Sequence, residues 1–167
     1  VETTLPAEGT AQGVLLSVDY VVRAPYDAAV NIQGVRGNIR VVNLHGGIKV
    51  NSAVANVTCE GVGGDVEVVV DSGNIVVKHT QTLKDDTVVR CETNTGNINV
   101  ALPEGSGFEL DASTLAGRVN SDAFGVPAEE GPVWSSAMGT VDKGRARVTL
   151  HVGAGNVALE RLPRPSQ

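Results

Sequence analysis

The stretch from 37 to 50, GNIRVVNLHGGIKV, says nearly the same thing twice: Gly-Asn-Ile-Arg-Val, then nine residues on Gly-Gly-Ile-Lys-Val. A short fixed period constrains a fold strongly. Each copy must be one local unit, and neighbouring copies must bury one another's apolar side. Stepping by nine from Gly37 recovers blocks that begin at 28, 37, 46, 55, 64 and 73. After an interruption at 82–86 they resume at 87 and 96. After GSG at 105–107 they resume at 108 and 117, and after a 20-residue insertion at 126–145 they end with 146 and 155.

The third residue of every block is Val, Ile or Leu, from Val30 and Ile39 through Leu110 to Val148 and Val157. The fifth is mostly apolar too, with Cys59, Cys91, Ala112 and Ser121 as smaller choices. The residue between them is mostly polar, as in Asn31, Arg40, Lys49, Thr58, Glu67, Arg90 and Asn99. Apolar, polar, apolar is the pattern of a strand with one buried face, and no 3.6-residue stripe of comparable length competes with it. Each block therefore predicts a short strand and a turn. Aromatic residues make up only 3% of the chain, so the predicted core is built from small and β-branched side chains.

The blocks alternate in kind. Asn38, Asn56, Asn74, Asn97 and Asn156 hold the second position of every other block, with Arg118 there in the block at 117. The intervening blocks carry Ala29, Gly47, Asp65, Val88, Glu109 and Arg147. The true unit is thus 18 residues in two unlike halves, and all three insertions precede a block of the set without Asn. This predicts an all-β, single-domain parallel β-solenoid of about six 18-residue coils, each with two short strands, successive coils stacking about 4.8 Å apart. Gly and Asn suit strained corners, and stacked Asn side chains can bond one another along the axis. A run of antiparallel hairpins is the alternative. The register kept across insertions and the return of Asn in alternate blocks only favour the solenoid. The predicted organisation is an N-terminal segment at 1–27 with VLLSVDYVVRAP (14–25) as a capping strand, a solenoid at 28–162, and a tail at 163–167. The open ends of a solenoid invite association, so oligomers through those ends are expected.

The copies Gly37-Asn38-Ile39, Gly64-Asp65-Val66, Gly73-Asn74-Ile75, Gly96-Asn97-Ile98 and Gly155-Asn156-Val157 resemble those of a family of bacterial β-helical adhesin domains of unknown function, related to auto-transporter adhesin heads. TNTGNINVALPEGSGFELDASTLAGRVNSD is similar to the later half of such domains and YVVRAPYDAAVNI to their leading segment, so the likeness spans about residues 15 to 160. The resemblance implies a non-enzymatic, extracytoplasmic domain, whether secreted, periplasmic or at the cell surface. It brings no catalytic or binding residues with it.

The net charge of −6, without clustered Lys or Arg, argues against a nucleic-acid partner and gives no pull toward anionic membranes. No apolar run approaches the ~20 residues of a bilayer span, so no membrane insertion is expected of this chain. The chain begins VETTLPAEGT, without Met, which reads as a processed or trimmed product. His45, His79 and His151 fall at unrelated block positions, share no metal-ligand spacing, and read as solvated surface residues; no metal or cofactor is expected. GVGGDVEVV (61–69) is the nearest approach to a calcium-binding roll, but one Asp is not a ladder of ligands. A carbohydrate-active β-helix enzyme would need carboxylates gathered on one outer face. Only Glu67 and Asp111 are acidic at the outward fourth position, and they lie in different coils. No catalytic residue is assigned; such an enzyme is the alternative to an interaction module, and a purely structural spacer is the third reading.

Cys59 and Cys91 both sit at the inward fifth position, one and a half coils apart once the interruption at 82–86 is removed. That places them on opposite sheets at a Cα separation of roughly 12 Å, beyond disulfide reach, as buried free thiols. The insertion VPAEEGPVWSSAMGTVDKGR (126–145) holds the only tryptophan, Trp134, and the only methionine, Met138. Long loops on rigid scaffolds carry binding sites. Either this loop and the flat face beside it meet a partner, a cell-surface glycan or envelope protein, or Trp134 and Met138 fold back over a face or end of the coil.

Overall fold

The computed structural model describes residues 24–34 and 36–164. Its strands are β1 (Val30–Gln33), β2 (Gly37–Val42), β3 (Ile48–Val62), β4 (Val66–Ser72), β5 (Ile75–His79), β6 (Val88–Thr95), β7 (Ile98–Pro103), β8 (Phe108–Ala116), β9 (Val119–Asn120), β10 (Glu129–Glu130), β11 (Ser135–Val141), β12 (Ala146–Ala154) and β13 (Val157–Leu162). Among the described residues the one helical turn is a 3-10 turn, Asp122–Phe124. The expected capping strand at 14–25 lies, up to Arg23, outside the described residues.

The strands form one 13-stranded sheet. It curls into two arms that share a single core. In the first arm β1 pairs with the front half of β3, followed by β4, β6, β12, β8, β11 and β10. In the second, β2 pairs with the rear half of β3, followed by β5, β7, β13 and β9. Every pairing is parallel except those of β10 with β11 and β11 with β8. The sequence repeat becomes a spatial column. Ile48, Val66, Val89, Val148 and Leu110 are register partners across the first arm. Ile39, Val57, Ile75, Ile98, Val157 and Val119 are register partners across the second. These are third-position residues, and all are buried. Each contributes on the order of 1.5–3 kcal/mol by leaving water. Cys59 on the second arm and Cys91 on the first are buried and free. Burial pushes the Cys59 thiol up to about 12; burial pushes Cys91 up as well, with Cys59 and Glu92 acting in the same direction.

The corner between the arms is fixed by the Asn residues. The Oδ1 of Asn56 accepts from the backbone N of Asn74 at 3.0 Å, that of Asn74 from Asn97 N at 2.9 Å, that of Asn97 from Asn156 N at 2.9 Å, and that of Asn156 from Arg118 N at 3.0 Å. Side-chain amides link the same residues down to Asn38, where Asn56 Nδ2 donates to Asn38 Oδ1 at 3.2 Å. The preceding glycine lets the chain pass so close. Gly96 has φ 142°, and a Cβ there would overlap the carbonyl of Gly73; Gly155, at φ 140°, would meet that of Gly96 in the same way. Ala55 holds this place in the second tier, and there β3 runs through the corner as one strand.

Two expectations are corrected. Successive tiers do not all stack in chain order. The last pair of strands, β12 and β13, is inserted between β6/β7 and β8/β9. The connection 142–145 crosses the connection 104–107 to reach that slot. A Cβ on Gly107 would lie 2.7 Å from Gly144 Cα, and one on Gly144 would overlap the Gly107 backbone. Crossed connections are rare in protein folds, and here two residues without side chains make one possible.

The second correction concerns histidine. His79 is not solvated: it is 0% exposed, with Nδ1 and Nε2 both unpartnered. It is the inward-facing last residue of β5, set against Val62 in register. His45 and His151 are half-buried, His45 stacked on Tyr26 at 3.8 Å between ring centroids and His151 Nδ1 lying 2.7 Å from Ser113 Oγ.

Candidate interaction surface on the antiparallel cap

The insertion at 126–145 closes one end of the sheet. Its strand β11 lies antiparallel on β8, with Ser135 opposite Thr114, Ala137 opposite Ala112 and Val141 opposite Phe108. Ser135, Ala137 and Val141 point inward and are buried. By strand alternation the outward residues are Trp134, Ser136, Met138 and Thr140. Trp134 and Met138 therefore lie on the outer side of the sheet and do not enter its core. The backbone of the loop caps the edge while Trp134 stays 43% and Met138 71% exposed.

Local chemistry holds this hairpin in place. Gly131 N donates to Trp134 O at 2.8 Å, Gly117 N to Val133 O at 3.0 Å, and Val119 N to Ser135 Oγ at 3.2 Å. Ser121 Oγ donates to Val126 O at 2.7 Å. The indole rests on Gly131, where any Cβ would collide with the ring. Arg118 Nη1 reaches both carboxylate oxygens of Glu130 at 2.9 Å, tying the short edge strand β10 to the end of the Asn ladder. Two acidic residues on the outermost strand are a common defence of a sheet edge against further pairing.

Register and alternation line up three outward rows across β11, β8 and β12. Met138 lies beside Asp111 and Thr149, and Ser136 beside Ser113 and His151. Trp134 continues β11 opposite Leu115, the residue after Thr114, and Leu115 is 73% exposed. Two apolar ends, Trp134 with Leu115 and Met138, thus flank a hydroxyl and imidazole row, the ends some 13 Å apart at strand rise. Val133, 65% exposed, adds to the indole end. Asp111 Oδ1, buried beside Met138, has no hydrogen-bond partner.

Residues 27–160 match the Toastrack DUF4097 family, a family of domains of unknown function. The chain belongs to that family. No curated protein and no solved structure matches this Toastrack domain.

The corner residues Asn38, Asn56, Asn74, Asn97 and Asn156 come together in one column of the Toastrack domain; Trp134 and Met138 share one face of the cap. Leu115 and Val133 were missed in the sequence. Leu115 had a signal, since it is a large apolar residue at an outward position of its block. The outward acids do not converge. Arg90 and Thr149 separate Glu67 from Asp111 in the column, a span of three strand spacings or about 14 Å, and Glu67 is engaged with Lys49 Nζ at 3.0 Å. Among the described residues no three His, Cys, Asp or Glu side chains gather as a metal site, and no helix is long and apolar enough to cross a membrane.

Proposed function

We propose that this Toastrack domain is a parallel β-solenoid acting outside the cytoplasm as a non-enzymatic, adhesin-like interaction module that binds a cell-surface glycan across its antiparallel cap. The solenoid reading is supported by the 18-residue register between parallel strands and the unbroken Asn column. The glycan reading is carried by the outer face of β8 and β11. Sugar rings offer apolar C–H faces bordered by hydroxyls, and Trp134, Leu115 and Met138 bordering Ser113, Ser136 and His151 offer the matching pattern. An indole seated on Gly131 has little freedom to lose on binding, which favours affinity. Catalysis is disfavoured by the spacing of Glu67 and Asp111, because glycoside hydrolysis uses carboxyl pairs within about 5–9.5 Å.

The test is binding of the whole chain to an array of immobilised cell-surface glycans, wild type against Trp134→Ala and Leu115→Ser. Both side chains are exposed, so the melting temperature should hold while glycan binding falls at least about tenfold, the effect of losing one aromatic anchor. No glycan bound, or binding indifferent to both substitutions, rejects the reading and leaves an envelope-protein partner or a structural spacer.

A further inference from the structure

His79 occupies a position that the neighbouring tiers fill with hydrocarbon. Val62 is its register partner on β3, and the pairing of Lys78 with Ala101 sets Leu102 beside it on β7; both are fully buried. A neutral imidazole always carries one N–H donor and one lone-pair nitrogen. Neither finds a partner here. A buried polar group left unpaired is costly, and such groups in native proteins call for an explanation.

The surroundings supply one. His79 ends β5, and the chain then leaves the sheet for the connection 80–87. That connection is held by few bonds in its first half, Thr80 N to Val62 O at 3.1 Å and Leu83 N to Ser106 Oγ at 3.3 Å, and more firmly at its far end, where Thr87 N donates to Lys84 O at 3.1 Å, Arg147 N to Thr87 O at 2.9 Å and Val88 N to Asp65 Oδ1 at 2.9 Å. The titratable groups that reach His79 are His45, from the connection after β2, and Asp65, from the turn before β4. Burial disfavours a charged ring most, His45 adds to that, and Asp65 opposes both.

We infer that His79 is an acid trigger: a proton on its ring drives it out of the apolar column and releases the 80–87 connection on the side of the sheet away from the Asn corner. The direction follows from linkage. The folded-state pKa is lowered from 6.5 to about 4, so the unfolded or opened chain takes up the proton first. Stability is full above about pH 6.5 and is lost as pH falls toward 4. Opening there uncovers Val62 and Leu102 at the second arm, while the bond from Arg147 N to Thr87 O holds the far end of the connection to β12. The inference is independent of the glycan reading, because His79 lies in the core and not on the cap.

The experiment compares urea unfolding of the full chain near pH 7 and near pH 4.5 in wild type, His79→Leu, His79→Val and His45→Gln. The first two variants place in the column the residues that Leu102 and Val62 already put there. In wild type the unfolding equilibrium constant should rise by a factor on the order of 50 from this one group between the two pH values. Both His79 variants should lose that factor, whereas His45→Gln should keep most of it. A ring-carbon NMR titration, with the His79 signal assigned by its disappearance in His79→Leu, should show no proton uptake above about pH 5 while the chain stays folded. The inference is overturned if every folded His79 variant keeps the wild-type acid response, or if the His79 ring titrates near 6.5 in the folded chain.

Discussion

From Val30 to Pro103 the order of strands along the chain is their order in space; from Phe108 to Leu162 it is not. Both regions obey one local rule. Apart from the half-buried Val30, their third-position residues are buried, and their corners carry Gly, or Ala at position 55, followed by Asn or, in one case, Arg. In the first region each pair of strands lies against the pair before it. In the second, β8 and β9 skip a slot, β11 turns back antiparallel, and β12 with β13 then fills the slot. The repeat therefore dictates which residues can lie in register and is silent about which tier follows which. Stacking order is decided by the connections. The first and second interruptions, at 82–86 and 105–107, are short, whereas 126–145 is long enough to travel out along the edge and come back.

The crossing of connections gives the largest expected difference between the regions. Gly144→Ala forces a methyl into the Gly107 backbone and should lower stability by about 3–5 kcal/mol, read from urea midpoints. Gly47→Ala is its counterpart in the ordered region, where a Cβ meets nothing within 4 Å, and it should stay within about 0.5 kcal/mol of wild type. Equal losses at the two sites would remove the crossing from the account.

The Asn column runs through both regions and ranks next. Asn97→Ala removes the acceptor of Asn156 N and the donor to Asn74, and should cost about 1–2 kcal/mol. Asn38, at the end of the column, accepts one side-chain bond from Asn56 and should matter less, about 0.5 kcal/mol on replacement by Ala. If Asn156 is internal to the column, as the inserted tier requires, Asn156→Ala should resemble Asn74→Ala and not Asn38→Ala in a thermal melt.

The thiols report whether the regions open together. Cys59 lies in the first region, and Cys91 is covered on one side by Leu150 of the inserted tier. Burial holds both as thiols, so alkylation near pH 8 should be slower than for a free cysteine by about a hundredfold or more. Both should become reactive at the same urea concentration. Cys91 reacting first would mean that the inserted tier leaves before the rest unfolds. The smallest effect belongs to the surface: Lys49→Ala breaks an exposed contact with Glu67 and should change stability by less than about 0.5 kcal/mol in either direction.

Much of this was legible in the residues. Val57, Ile75 and Ile98 fall into one column because a period-two pattern at fixed spacing leaves a parallel strand no other register without exposing its apolar face. Cys59 and Cys91 fall on opposite arms for the same reason. The inserted tier was not legible from periodicity, yet one residue marked it. Arg118 stands where the other corners have Asn, and it is the last member of the column, giving its backbone N to Asn156 with no further tier to serve. Its guanidinium is turned instead to Glu130 on the cap. The burial of His79 was legible but overlooked, since His79 follows Ile75 and Val77 at the next inward place. Ile75, Val77 and His79 alternate along β5 with their side chains inward, and the bulge at Gly61 on β3 shifts Val62 by one place into register with His79. At the cap, the residues marked a long insertion carrying Trp134 and Met138 but not that part of it forms β11 antiparallel to β8, since that choice rests on the path of the long connection.

Cysteine cross-linking measures the stacking order directly. Thr149 is the register partner of both Arg90 and Asp111, so the pairs Arg90→Cys with Thr149→Cys and Thr149→Cys with Asp111→Cys put thiols on adjacent strands, within disulfide reach. Arg90→Cys with Asp111→Cys puts them two strand spacings apart, about 10 Å, and out of reach. Mild oxidation of the folded chain should join the first two pairs and leave the third free. A ready bond between positions 90 and 111, with none between 90 and 149, would show that the strands stack in chain order and that no tier is inserted.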